Sequence, residues 1–232
     1  MMQVRRSEER GGGNHGWLKS QHTFSFADYY DPEMMGFSAL RVINEDYVAG
    51  GAGFPTHPHR DMEIITVVLS GAVEHKDTMG NTATVLPGEV QLMSAGTGVR
   101  HSEYNPNRLE VLHLLQIWIL PDKAGYPASY AQKSFREALK SQNWVLAVSN
   151  TGRDGSLKMN QNADLWLGRV DAGTALKKEL DPKRNYWIQV TKGDLTVEGE
   201  KLKAGDGLAM TQTEAIELQS AEGSELILFD LP

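Results

Sequence analysis

Cysteine is missing from the 232 residues. That excludes disulfide staples, thiolate metal sites and a cysteine nucleophile, so any metal ligand must present nitrogen or oxygen. Also missing is any apolar run long enough to cross a bilayer as a helix, and residues 1–10 lack the apolar centre of a secretory signal. The chain therefore reads as cytoplasmic, with no membrane partner. Positive charge is in deficit: 23 Lys and Arg against 30 Asp and Glu leave a formal charge of −7. This balance opposes non-specific binding to nucleic acid and points to small-molecule chemistry or protein contacts. Histidine is absent from the second half, since all seven lie at or before position 113.

What is present is a succession of short β segments. Residues 22–27, 39–44 and 64–69 alternate or are rich in β-branched side chains, and Gly, Pro or Asp-Pro stands between them. Phe24 and Phe26 should face a core. Residues 72–77 and 82–86 flank Met79-Gly80-Asn81 and read as a hairpin, and the apolar run 109–120 fits a central strand covered on both faces. The glycine-rich stretch 11–16 lacks the context of a phosphate loop and reads as a mobile loop, with His15 solvated. After Pro127, Ala131, Phe135 and Ala138 stand at helical spacing, which predicts a connecting helix. From Trp144 the β pattern resumes. Val67-Val-Leu-Ser-Gly71 followed by Leu86-Pro-Gly88 is echoed by Gln189-Val-Thr-Lys-Gly193 followed by Lys203-Ala-Gly205, so the second half reads as a copy of the first without its histidines. The prediction is an all-β chain of two tandem barrels: 1–126 with a metal, 127–143 a helical linker, and 144–232 without imidazole ligands.

Two segments carry the chemistry. His57 and His59 stand two residues apart, as do His101 and Glu103, and on an extended strand each pair shares one face. The pairs read as opposite walls of one site whose imidazoles and carboxylate suit a divalent first-row metal. His75 lies in a polar segment and reads as exposed, whereas His113 in its apolar run reads as a hydrogen-bonded core residue. Phe54 and Tyr104 flank the ligands and are candidates for an aromatic wall. Arg60 and Arg100, the only cations near the ligands, read as surface charge, which disfavours a sugar-phosphate substrate.

Gly51-x5-His57-x-His59-x3-Glu63 resembles the first cupin motif, and Gly98-x2-His101-x3-Asn105 resembles the end of the second. The match departs in the seven rather than six residues between Glu63 and Gly71, in the two-residue displacement from Gly96 to Gly98 of the glycine that precedes His101, and in Ser94 where proline is usual. Together with His22-Thr-Phe-Ser-Phe-Ala and Thr97-Gly-x-x-His-Ser-Glu103, these segments are similar to the pirin family of bicupins over about residues 15–120. The resemblance implies two jelly-roll-type cupin barrels with one metal in the first, held by His57, His59, His101 and Glu103. It implies Fe(II) as the metal, with Zn, Cu, Ni or Mn able to occupy the same donors, and a flavonol such as quercetin plus dioxygen as substrates. In that chemistry Glu103 is both ligand and proton acceptor, and Glu63 is an acceptor behind the ligands that orients an imidazole; the alternative is that Glu63, whose position supplies a ligand in many cupins, binds the metal itself. The alternative implied by the same family is a metal-dependent binding or regulatory protein that turns over no flavonol.

Overall fold

A computed structural model describes residues 1–232. In chain order its strands are β1 (Met2–Arg5), β2 (Gly11–Asn14), β3 (Leu18–His22), β4 (Leu40–Val48), β5 (Gly53–His59) and β6 (Glu63–Ser70). There follow β7 (Val73–Asp77), β8 (Thr82–Val85), β9 (Glu89–Ser94), β10 (Val99–Tyr104), β11 (Leu112–Ile119) and β12 (Ser129–Ser134). A short helix α1 (Arg136–Ser141) precedes β13 (Trp144–Ser149), β14 (Leu157–Lys158), β15 (Asp164–Val170), β16 (Thr174–Glu179) and β17 (Asn185–Lys192). The last strands are β18 (Asp194–Val197), β19 (Glu200–Lys203), β20 (Gly207–Thr211), β21 (Ala215–Ser220) and β22 (Ser224–Leu231). The chain divides into two compact units, Gly11–Arg136 with Leu157–Gln161, and Met1–Arg10 with Glu137–Ser156 and Asn162–Pro232.

In the first unit a sheet ordered β12-β9-β6-β11-β4-β3-β2 accompanies a smaller one ordered β5-β10-β7-β8. The apolar run around β11 does lie centrally, hydrogen-bonded to β4 and β6. Leu109 and Val111 at its start are exposed instead and belong to a loop. Because every pairing is antiparallel, cross-strand register fixes which side chains share a face. Ile64 opposes Trp118 and Met93; two residues on, Thr66 opposes Gln116 and Gln91; two further on, Val68 opposes Leu114. Two apolar layers result, one around Ile64, Met93 and Val99, the other around Val48, Val68, Val73, Val85, Leu112 and Leu114. Between them runs a polar row. An unpaired buried polar group costs about 1–3 kcal/mol, so such a row persists only where its groups have partners or a use.

The second unit repeats the plan, with β1-β20-β17-β22-β15-β13 in one sheet and β16-β21-β18-β19 in the other. It holds a large apolar cluster: Tyr186, Ile188, Leu208, Met210, Ile216, Leu218 and Leu228 are buried together, with Leu176 packed against them.

Three sequence expectations change. The predicted helix over 128–140 is mostly strand: Ser129–Ser134 pairs with β9 from Ser94 to Glu89, and only Arg136–Ser141 is helical, with no buried residue. The open edge of β9 offers ladder hydrogen bonds that outweigh the modest helix propensity of this segment, and a six-residue helix has little stability of its own. The glycine stretch is not a free loop at its start, because Gly11–Asn14 pairs with β3. Gly11 and Gly12 are needed there, since a Cβ on Gly11 would overlap the Tyr29 ring and one on Gly12, at φ +136°, the Ser20 carbonyl oxygen. The boundaries drawn at 126 and 144 also shift: residues 1–10 complete a sheet of the second unit through β1 and β20, whereas 127–136 and 157–161 belong to the first.

Candidate metal centre

The antiparallel register of β5 and β10 sets His57 directly opposite His101 and His59 opposite Val99. Between His101 and Glu103 the ladder slips by one residue, a bulge that re-aims the side chains while both remain buried. The imidazoles of His57, His59 and His101 come together with ring centroids 4.5 to 4.9 Å apart, and one ligand atom from each lies within 4.8 Å of the others. A second overlapping trio consists of His75, His101 and Glu103.

Hydrogen bonds decide between the trios. His57 donates from Nδ1 to the Pro55 carbonyl at 2.8 Å, which leaves Nε2 with a free lone pair. His75 is fully buried, not exposed as its polar neighbours suggested. Its Nε2 lies 3.0 Å from an Asp77 carboxylate oxygen, while its Nδ1 faces the Gln91 amide at 3.5 Å and His101 Nδ1 at 3.4 Å. With Nε2 donating to Asp77, His75 Nδ1 is an acceptor, so His101 donates from Nδ1 and keeps its lone pair on Nε2. That Nε2 is buried with no partner. Both nitrogens of His75 are thus engaged, and it supports His101. Asp77 is held in turn by the Asn81 amide and by the backbone N–H groups of Met79 and Asn81. Against its burial, which raises the carboxyl, these bonds and His75 keep Asp77 below the usual carboxylate range.

Charge state agrees with ligand duty. Burial, then the neighbouring imidazoles, lowers His59 to about 4 and His101 to about 3, so both are neutral and able to bind a cation at pH 7. Glu103 is 3% exposed; its two oxygens accept from the Thr66 hydroxyl at 3.3 Å and the Gln116 amide at 2.8 Å. A carboxylate has about four acceptor positions, so these two bonds leave lone pairs free. The donor set, with one orphaned imidazole nitrogen and no cation among its neighbours, is one that takes a single divalent transition metal.

Glu63 differs from its expected role. It is 1% exposed, but its carboxylate accepts from the Ser94 hydroxyl at 2.7 Å, the Asn160 backbone at 3.3 Å and the Asn160 amide at 3.1 Å, and from no imidazole. Its alternation phase on β6 places it in line with Ile65 and Val67, not with Thr66, which reaches Glu103. His113 is hydrogen-bonded as expected, to Glu45 at 2.8 Å, and stacks on Tyr47.

Beside the imidazoles opens a cavity of about 450 Å³, lined by His57, His59, Glu103, Gln116, Phe54 and Trp118, and also by Phe26 and by Ser20, His22, Asn44 and Asp46 of β3 and β4, the strands beyond β11 in the sheet order. Its size is that of a small-molecule site. Trp118 meets His59 and Phe26 edge-on at 5.1 and 5.3 Å. Phe54 forms part of this wall, whereas Tyr104 is exposed and outside it. No lysine or arginine lines the cavity, and Arg60 pairs with Asp61 at the surface. Sequence reading missed His75, Asp77, Thr66 and Gln116; the available signal was a polar residue at an inward position of each strand.

Residues 3–119 match the family model described as Pirin, and residues 146–231 the one described as Quercetinase C-terminal cupin domain. A protein of Escherichia coli (strain K12) named quercetin 2,3-dioxygenase is 51% identical over 232 residues, covering 100% of this chain and 99% of the relative. A Caulobacter vibrioides protein named pirin-like protein is 40% identical over 96% of each chain. Among solved structures, the bacterial pirin YhhW of Escherichia coli in complex with nickel(II) superposes with a TM-score of 0.95 at 50% identity, covering 100% of this chain and 99% of that one.

Proposed function

The chain belongs to the pirin family, and from that premise we propose that it is a metal-dependent dioxygenase that opens the heterocycle of flavonols such as quercetin with release of carbon monoxide. The observation that carries this reading is the cavity itself: about 450 Å³, free of lysine and arginine, walled by Phe26, Phe54 and Trp118, and ending on His57, His59 and the buried Glu103 carboxylate, with His101 beside them. Names borne by relatives, quercetin 2,3-dioxygenase among them, support the substrate class.

His57, His59 and His101, with Glu103, would hold the metal, Fe(II) in our reading; the nickel(II) complex of the related protein supports a divalent transition metal. When bound, the metal supplies a Lewis acid that acidifies the 3-hydroxyl of a flavonol and a position for dioxygen. Glu103 accepts the proton of that hydroxyl. Thr66 and Gln116 fix its carboxylate by their hydrogen bonds, so it needs no reorganisation when the proton arrives. Asp77 and His75 hold His101 in one tautomer, and the Pro55 carbonyl does the same for His57. The aromatic walls would exclude water from the bound substrate and align a planar ring system with the carboxylate.

The test is carbon monoxide released from quercetin by metal-loaded protein in air, with an anaerobic control. Stoichiometric CO that appears only with oxygen is expected. Tight quercetin binding without CO would replace this reading with that of a metal-dependent binding protein.

A further inference from the structure

The polar row of the first unit runs across five strands. His22 on β3 opposes Asn44 on β4, Asn44 opposes Gln116 on β11, Gln116 opposes Thr66 on β6, and Thr66 opposes Gln91 on β9. Directly opposed residues project from the same face, so all five point the same way. Three serve the metal centre: Thr66 and Gln116 donate to Glu103, and the Gln91 amide faces His75. The other two have nothing to hold. His22 is 9% and Asn44 4% exposed, both line the cavity, and His22 Nδ1 and Asn44 Oδ1 are buried without a protein partner.

His22 is also fixed from behind. Its Nε2 lies 2.9 Å from the Ser20 hydroxyl, which donates to Asp46, and Phe26 meets its ring edge-on at 5.2 Å. Ser20 and Asp46 form the next cross-strand pair on the same face and are buried as well. Burial raises Asp46 to about 7; above that pH it is a carboxylate that takes the Ser20 proton, so His22 Nε2 carries a proton and Nδ1 presents a lone pair. Burial keeps the imidazole neutral by lowering it from its ordinary value. The cavity thus has two ends of different chemistry: one of metal-ligating groups, and one of two adjacent hydrogen-bond acceptors on a rigid strand pair.

We propose that His22 and Asn44 form a second recognition end of the cavity that accepts hydrogen bonds from a phenolic hydroxyl of the flavonol, remote from the 3-hydroxyl. This rests on the flavonol reading above and deepens it by naming what selects among flavonols. Two unpaired buried acceptors are satisfied by an O–H donor and left unpaired by a C–H in its place. A polyhydroxylated flavonol is therefore preferred over 3-hydroxyflavone, which carries only the hydroxyl used at the metal. Loss of one such bond, with the acceptor left unpaired, weakens binding roughly ten- to a hundredfold.

The experiment is an anaerobic titration of nickel(II)-loaded protein with quercetin and with 3-hydroxyflavone, reading the ratio of the two Kd values from flavonol absorbance. Wild type is expected to favour quercetin by at least about tenfold, and His22→Phe and Asn44→Leu, close in shape but unable to accept, to bring that ratio towards one. Either variant decides the matter if the other does not fold. A wild-type ratio near one, or a ratio unchanged in a folded variant, overturns the proposal. Binding of neither flavonol overturns both it and the flavonol reading, whereas quercetin selectivity without CO release overturns only the dioxygenase activity.

Discussion

At the scale of the residue, function depends on which nitrogen of each imidazole is free. The Asp77–His75–His101 chain leaves His101 Nε2 as the ligating atom. His75→Phe keeps the ring's volume and removes the acceptor, so metal affinity should fall by about 10–100-fold, read by competition with a chromogenic chelator. Affinity equal to wild type would mean that His101 needs no such support. The two carboxylates separate in the same way. Glu103→Gln removes the proton acceptor and should lower CO formation at saturating metal by about 10²–10⁴. Glu63→Gln disturbs only the links to Ser94 and Asn160, so its defect should lie mainly in Tm and be smaller in turnover. The reverse ranking would exchange their roles. The pairs His57/His59 and His101/Glu103 were legible in the sequence because spacing of two on a strand puts both on one face. His75 and Asp77 have the same spacing, but Glu74 and Lys76 between and beside them carry charge on the outer face, and the segment's average polarity concealed a buried pair.

Elements set the distances between those residues. Strand β5 lies tightly on β10 because Gly53 has no Cβ; one there would overlap the Glu103 carbonyl oxygen and crowd Tyr104. Gly53→Ala should push the strands apart where His57 faces His101, lowering both Tm and metal affinity, measured by thermal denaturation and chelator competition. Retention of both would show that the strand pair tolerates the displacement. Strands β4, β6 and β11 could be read from alternation and turn residues, whereas residues 23–27, expected to continue a strand, form bends and turns, and the polar row could not be read at all. Each strand contributes a single residue to it, and only the register assembles Asn44, Gln116, Thr66 and Gln91 into one line. The segment after Pro127 was misread for a related reason: a helical spacing of Ala131, Phe135 and Ala138 says nothing of the open edge of β9 that the chain pairs with.

For the whole molecule, the two units share a strand plan, but only the first carries the polar row that ends on the imidazoles. The second unit buries Ile216 and Leu218, with Leu176 half-buried, on the strands that correspond to β10 and β5, and it contains no histidine. Acid should act on the first unit through linkage. His59 and His101 titrate near 4 and 3 when folded but near 6.5 when unfolded, so the unfolded chain binds more protons as pH falls below about 6.5. Stability of the metal-free protein is then fully present above that pH and declines from about 6.5 towards 3, which a pH series of Tm values checks. A Tm unchanged from pH 7 to 4 would contradict the burial of neutral imidazoles. The most direct test of the account is elemental analysis of the purified full-length chain beside His57→Ala and His101→Ala. One divalent metal per chain in wild type, with large loss in both folded variants, is the expected result; two tightly held metals per chain, or wild-type content in either variant, would contradict it.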